Sequence, residues 1–235
     1  METGSDSGAA LMSWSSGKDC AWALHLLRQS GTNVTGLLTT FNIAFNRVAM
    51  HSTRRDVVEE QARELGLPLW PVELPWPCSN ENYERIMADV MLRAKTEGVT
   101  HVAFGDLYLE DIRRYREEKL APLGIQSLFP IWTTRERAPM LAREMLGAGL
   151  RAKVTSVDPK QIDPSFVGRE YDKTFLADLP KKADPCGENG EFHTVAYAGP
   201  MFKRPLCLEP GEIVERDGFW FADFKLISGV SSPAG

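Results

Sequence analysis

Cysteine is scarce in this 235-residue chain. There are four, Cys20, Cys78, Cys186 and Cys207, and no two stand at C-x-x-C spacing. That excludes a zinc knuckle and a disulfide framework, and leaves free thiols suited to a reducing compartment. Long apolar runs are missing as well. None approaches the roughly 20 residues that a membrane-spanning helix needs. No block of basic residues stands out: 27 Lys and Arg against 32 Asp and Glu give a formal charge of −5. Without a broad basic face, the balance argues against a nucleic-acid partner. Residues 1–10 are rich in Gly and Ser and lack a basic segment followed by an apolar one, so they read as a leader and not as a signal peptide. The expected location is the cytoplasm.

The composition that remains, 43% hydrophobic and 25% charged, suits a globular core. Short apolar runs at 11–14, 34–40, 69–74 and 99–104 read as strands. Between them lie amphipathic stretches at 21–28, 53–65 and from the candidate N-cap Ser79 to about residue 97, with Gly66 and Gly98 as stops. This alternation predicts an α/β fold, a doubly wound parallel sheet, over 11–130. Residues 131–235 are expected to form a smaller α+β domain. Beyond the fourth strand a charged helix at 111–120 and an apolar piece at 129–132 lead into a helix at 135–146. A strand at 152–157, a helix at 166–179 and a strand at 192–198 follow. A final hairpin pairs 206–216 with 219–227 about Asp217-Gly218. Its Trp220 and Phe224 offer either a homodimer surface or a domain-packing element.

The most informative segment is Ser15-Ser16-Gly17-Lys18-Asp19-Cys20, placed between a strand and a helix. A helix N-terminus offers unpaired N–H groups and the positive end of the helix dipole. Small residues let a phosphate come close, and Lys18 supplies charge. The string is not a Walker A loop, because Asp19 follows Gly17-Lys18 and Met12 stands where the first glycine belongs. It resembles the PP-loop signature Ser-Gly-Gly-x-Asp-Ser, with Ser16 in place of a glycine and Cys20 in place of the last serine. PP-loop enzymes cleave ATP between its α and β phosphates, and their nucleotide domain is of the HUP, Rossmann-like kind.

Further motifs follow in order. Phe104-Gly105-Asp106 ends the fourth strand, at the sheet edge where doubly wound folds bind ligands. There Gly105 permits close approach to a base or ribose. Arg113 and Arg116 suit either a phosphate or carboxylate clamp or helical pairs with Glu117 and Glu118. The segment Gly187-Glu188-Asn189-Gly190-Glu191-Phe192-His193-Thr194 gathers two carboxylates and an imidazole. If Glu191 opens a strand, it shares a face with His193. Such a cluster can hold a metal, orient an amine, or act as a general base. His51 lies in a loop after the second strand.

In this order the segments resemble the diphthine–ammonia ligase family and its bacterial relatives described as adenine-nucleotide alpha hydrolases, over roughly residues 11–205. The resemblance implies an ATP-dependent ligase that activates a carboxylate as an acyl-adenylate, which ammonia then attacks. The expected cofactors are ATP, with its phosphates on Ser15, Ser16, Gly17, Lys18, Asp19 and Cys20, and Mg²⁺ held by Asp19 or Asp106. The segment from Glu188 to His193 is expected to place the ammonia, with Glu191 or His193 taking a proton. Cys20 in place of serine also fits two alternatives, ATP hydrolysis without ligation and a nucleotide sensor without turnover. The acidic charge and the absence of paired cysteines argue against RNA thiolation.

Overall fold

Parallel strands buried on both faces read as unbroken apolar runs, and Ala10, Leu11 and Met12 have no exposed surface at all. The structure, a computed structural model, describes residues 8–49 and 51–227. Strands β1 (Ala9–Ser13), β2 (Val34–Asn42), β4 (Leu69–Leu74), β5 (Val99–Ala103) and β6 (Gln126–Leu128) form a parallel sheet in the order β4-β2-β1-β5-β6. The two-residue β3 (Arg47–Val48) runs antiparallel to the end of β2. Pro71 is tolerated inside β4 because that strand lies at the sheet edge.

Helices cover both faces. Leu37 and Leu38 are neighbours on β2, so their side chains point to opposite sides. Leu37 packs with residues of α1 (Lys18–Gln29) and α2 (Arg55–Leu65). Leu38 packs with Met91 of α3 (Asn80–Thr96) and Leu120 of α4 (Glu110–Leu120). The helix signals act as the sequence suggests: Gly66 closes α2 at φ 66°, and Ser79 caps α3 by accepting from the Asn82 amide.

After α5 (Ala138–Gly147) come β7 (Arg151–Val157), α6 (Lys173–Asp178), β8 (Phe192–Ala198), β9 (Leu208–Arg216) and β10 (Phe219–Leu226). Their four-stranded antiparallel sheet has the order β8-β7-β10-β9. Asp217 at φ 52° and Gly218 at φ 80° make the β9–β10 turn. The core of α1 and α2 continues without a break into this second sheet.

Two expectations are corrected. Of the leader 1–10, residues 1–7 lie outside the described residues, while Ala9 and Ala10 belong to β1. The helix expected at 166–179 is confined to Lys173–Asp178. The stretch before it is drawn out by antiparallel contacts with β7: Glu170 bridges Lys153, and the Tyr171 amide donates to the Ala152 carbonyl. The strand that pairs with β5, Gln126–Leu128, lies just before the apolar piece at 129–132. Phe224 is buried in the shared core with Trp220 packed against it, so these residues of the hairpin serve internal packing.

Candidate functional site

The loop before α1 is held in an unusual conformation. Ser16, at the position where the resembling signature has glycine, takes φ 72° and is fully buried. Its hydroxyl donates to Thr53 Oγ1 at 2.7 Å. Its carbonyl accepts from the Ala196 amide at 2.9 Å and from Gln61 Nε2 at 3.0 Å. Gly17 is the N-cap of α1.

Strand β8 is an edge strand of the second sheet, with a free row of backbone groups. The loop covers that row. Besides the Ala196 amide bonded to Ser16, the Ala196 carbonyl accepts from Gln61 Nε2 at 2.6 Å. Thr194 Oγ1 accepts from the Lys18 amide at 3.1 Å, across 176 residues of sequence. Gln61 is fully buried and also accepts from Trp14 Nε1 at 2.9 Å. One amide side chain therefore joins the end of β1, the loop and β8. Sequence reasoning missed it, yet a signal exists: Gln61 stands four residues from both Val57 and Leu65, on the apolar stripe of α2.

Lys18 does not face the open crevice. It is 1% exposed, and its ammonium sits beneath the loop. There it pairs with Asp19 Oδ2 at 2.8 Å and donates to the Cys186 carbonyl, 5.3 Å from the ring centres of Tyr171 and Phe192. Burial pulls its pKa down, but the charges of Asp19 and Asp184 and the bond to Asp19 outweigh it, and the net shift is upward. The other oxygen, Asp19 Oδ1, is buried with no partner. Burial pushes the Cys20 thiol up to about 12, and its Sγ donates to the Gly17 carbonyl at 3.0 Å.

Beside the loop opens a cavity of about 780 Å³ at the carboxyl ends of β1, β2, β4 and β5. Ser15, His51, Asp106, Arg116, Glu188 and His193 supply polar groups to its wall, and Met87, Met91, Phe104, Ile112 and Tyr115 much of the apolar surface. Glu188 Oε1 accepts from the Leu107 amide at 2.8 Å. Burial, joined by the charges of Asp19 and Asp106, raises its carboxyl to about 8 against that bond. Asp106 is raised by burial and partly restored by Arg116, whose Nε lies 3.5 Å from it. Burial, with help from the Lys18 charge, lowers His193 to about 4. His51 is lowered by burial and by His193, whose ring centre is 4.5 Å away.

Three further placements differ from expectation. Glu191 is buried and points away from the cavity. Its carboxylate accepts from the amides of Asp184 and Asn189, so it shapes the turn before β8, which itself starts only at Phe192. Gly105 serves an approach within the chain. A Cβ there would stand 2.8 Å from the Cys20 amide nitrogen and 2.9 Å from the Asp19 carbonyl carbon, filling the space over the first turn of α1. Arg113 takes the helical alternative: it pairs with Glu117 at 2.9 Å and lies over Phe129 and Trp132, off the cavity wall. Among the described residues no group of three or more His, Cys, Asp or Glu converges for a metal ion, so Asp19 and Asp106 form no cage of protein ligands. No helix among them is long and apolar enough to cross a membrane.

Comparison with known proteins agrees in both halves. The family described as "Diphthamide synthase N-terminal domain" matches residues 8–127, and "Diphthamide synthase C-terminal domain" matches 138–229. The diphthine–ammonia ligase of Homo sapiens is 28% identical over 151 residues, covering 62% of this chain and 55% of its own length. That of Danio rerio is 31% identical over 112 residues, covering 45% and 43%. The chain thus spans about half the length of these curated relatives. A solved U34-tRNA thiolase, NcsA from Methanococcus maripaludis, aligns over 60% of this chain and 58% of its own at 19% identity, with a TM-score of 0.37, too low to carry an argument. With matches to the N- and C-terminal domains in order along most of its length, this chain belongs to the diphthamide synthase family.

Proposed function

We propose that this protein joins a carboxylate to ammonia, driven by cleavage of ATP to AMP and pyrophosphate. The observation that carries the reading is the contact between the loop at 15–20 and the Glu188 to Thr194 segment, at the wall of one cavity. A volume of about 780 Å³ lies within the ordinary range of small-molecule sites. The first N–H groups of a helix have no partner inside it. Thr194 occupies that of Lys18, and the positive end of α1 that follows Gly17 is where a phosphate would be attracted.

The unpartnered Asp19 Oδ1 fits a Mg²⁺ ion that takes its remaining ligands from phosphate and water, with Asp106 as the second candidate. Such an ion supplies charge neutralisation as pyrophosphate departs. Arg116, pointing at Asp106 on the cavity wall, adds a fixed positive charge. Lys18 acts from beneath, holding Asp19 by its ion pair and offsetting part of the burial that raises its carboxyl. Glu188 is anchored by the Leu107 amide, and its midpoint near 8 lets it hold or release a proton near neutrality. The substrate carboxylate attacks the α-phosphorus, pyrophosphate leaves, and ammonia then displaces AMP from the acyl-adenylate. Diphthine, from the relatives' name, is the first acceptor to try.

The test is product analysis with ATP labelled at the α position, Mg²⁺, ammonium chloride and a diphthine-bearing acceptor. Ser15→Ala is a control that leaves the buried Lys18 pair in place. AMP and pyrophosphate formed in step with amide are the expected result. AMP formed without amide would point to hydrolysis alone, and ADP with phosphate as the main products would sink the proposal.

A further inference from the structure

The mechanism above leaves one wall of the cavity without a task. His51, from the loop after β3, and His193, from β8, bring two imidazoles together from the two sheets, with ring centres 4.5 Å apart and planes inclined at 39°. The pair stands over the phosphate loop: a Cβ built on Gly17 would lie 3.1 Å from His51 Cε1. Both rings line the cavity beside Ser15 and Glu188. The one hydrogen bond of this pair among the described residues is a long contact, 3.4 Å from His51 Nδ1 to the Thr194 carbonyl. If that contact is a bond, Nδ1 carries the proton and Nε2 is left as a bare acceptor. Burial lowers the pKa of both rings, the Lys18 charge adds to it at each, and His193 adds to it at His51. A neutral ring offers its bare nitrogen as an acceptor for an N–H donor.

We infer that His51 and His193 form the seat of the nitrogen nucleophile, accepting two N–H bonds of an ammonia molecule whose lone pair then faces the acyl carbon. The inference rests on the amide-forming reading. It makes His51 a catalytic residue where the sequence marks only a loop histidine. The step balances. The nitrogen lone pair forms the C–N bond, the C–O bond to the adenylate breaks, and AMP leaves with that electron pair. One N–H proton passes to the Glu188 carboxylate, and the other two remain on the amide.

The chain has four histidines, so single substitutions assign each ring C–H signal in a proton NMR spectrum. The full-length protein is saturated with Mg²⁺ and α,β-methylene ATP and titrated with ammonium chloride, with potassium chloride as the ionic-strength control. The expected result is movement of the His51 and His193 signals along one binding curve. His51→Phe keeps a ring but no acceptor, and should weaken the apparent ammonium affinity read at His193 by roughly tenfold. His51→Gln restores an acceptor and should recover part of it. Equal responses to potassium, no response to ammonium, or a His51→Phe protein that matches wild type would overturn the inference. If α,β-methylene ATP itself perturbs no signal, the failure lies earlier, in the ATP-dependent reading, and the nucleophile site falls with it.

Discussion

Replacing Gln61 by Met tests the join between the two sheets with little change in volume or helix propensity. The native amide makes three buried bonds: it accepts from Trp14 Nε1 and donates to the carbonyls of Ser16 and Ala196. Ser16 keeps its second partner, the Ala196 amide. Trp14 Nε1 and the Ala196 carbonyl are then left without the partners described for them. At about 1–3 kcal/mol for each orphaned buried group, the substitution should cost about 2–6 kcal/mol. For a chain of this size about 2–4 °C accompanies each kcal/mol, so Tm should fall by at least about 4 °C. Differential scanning calorimetry of the ligand-free protein reads the change. ATP affinity should fall as well, because the Ser16 carbonyl loses one of its two anchors. A Tm within about 1 °C of wild type would refute the reasoning, since it would mean that water or a local shift satisfies both groups at no cost.

Three other substitutions probe the loop. Gly105→Ala places a methyl 2.8 Å from the Cys20 amide nitrogen, where only backbone can yield. It should cost about 1–3 kcal/mol in urea denaturation and weaken nucleotide binding in a filter assay. Thr194→Val keeps the shape but removes the acceptor for the Lys18 amide. It should lower ligand-free stability by about 1 kcal/mol while leaving the Mg²⁺-ATP dissociation constant within threefold, roughly. Glu188→Gln should change the pH profile of Tm. A carboxyl raised from 4.5 to about 8 binds its proton more tightly in the folded state, so stability drains away as pH climbs through that window. His193, lowered to about 4, drains stability in the other direction, as pH falls below 6.5. The variant should therefore lose the alkaline slope and keep the acidic one; an unchanged alkaline slope counts against the raised carboxyl of Glu188.

The sequence told most where structure is local. Buried parallel strands and amphipathic helices stamp a period on the chain, so β4 and β8 fall on the residues that periodicity marks, and Ser79 and Gly66 act as the cap and stop they resemble. It told least where a contact spans the chain. Nothing near Lys18 announces the Cys186 carbonyl, and nothing in the Glu191 string says that its carboxylate folds back onto Asp184 and Asn189. The stretch before α6 has helix-like spacing, but its backbone bonds go to β7. In the same way β3 owes its two residues to an edge of β2 and not to any pattern of its own.

The cap that Thr194 places on the loop has a consequence for the order of events during synthesis. The loop leaves the ribosome ahead of its partner strand, which is made 176 residues later. At the usual pace of translation, about 5–20 residues per second, that is a wait of roughly 9–35 seconds. Throughout it, Ser16 must hold its left-handed turn without the Ala196 amide, and the Lys18 amide has no protein acceptor from β8. The loop is therefore made well before the strand that completes its hydrogen bonds, and its cap can form only once β8 has followed.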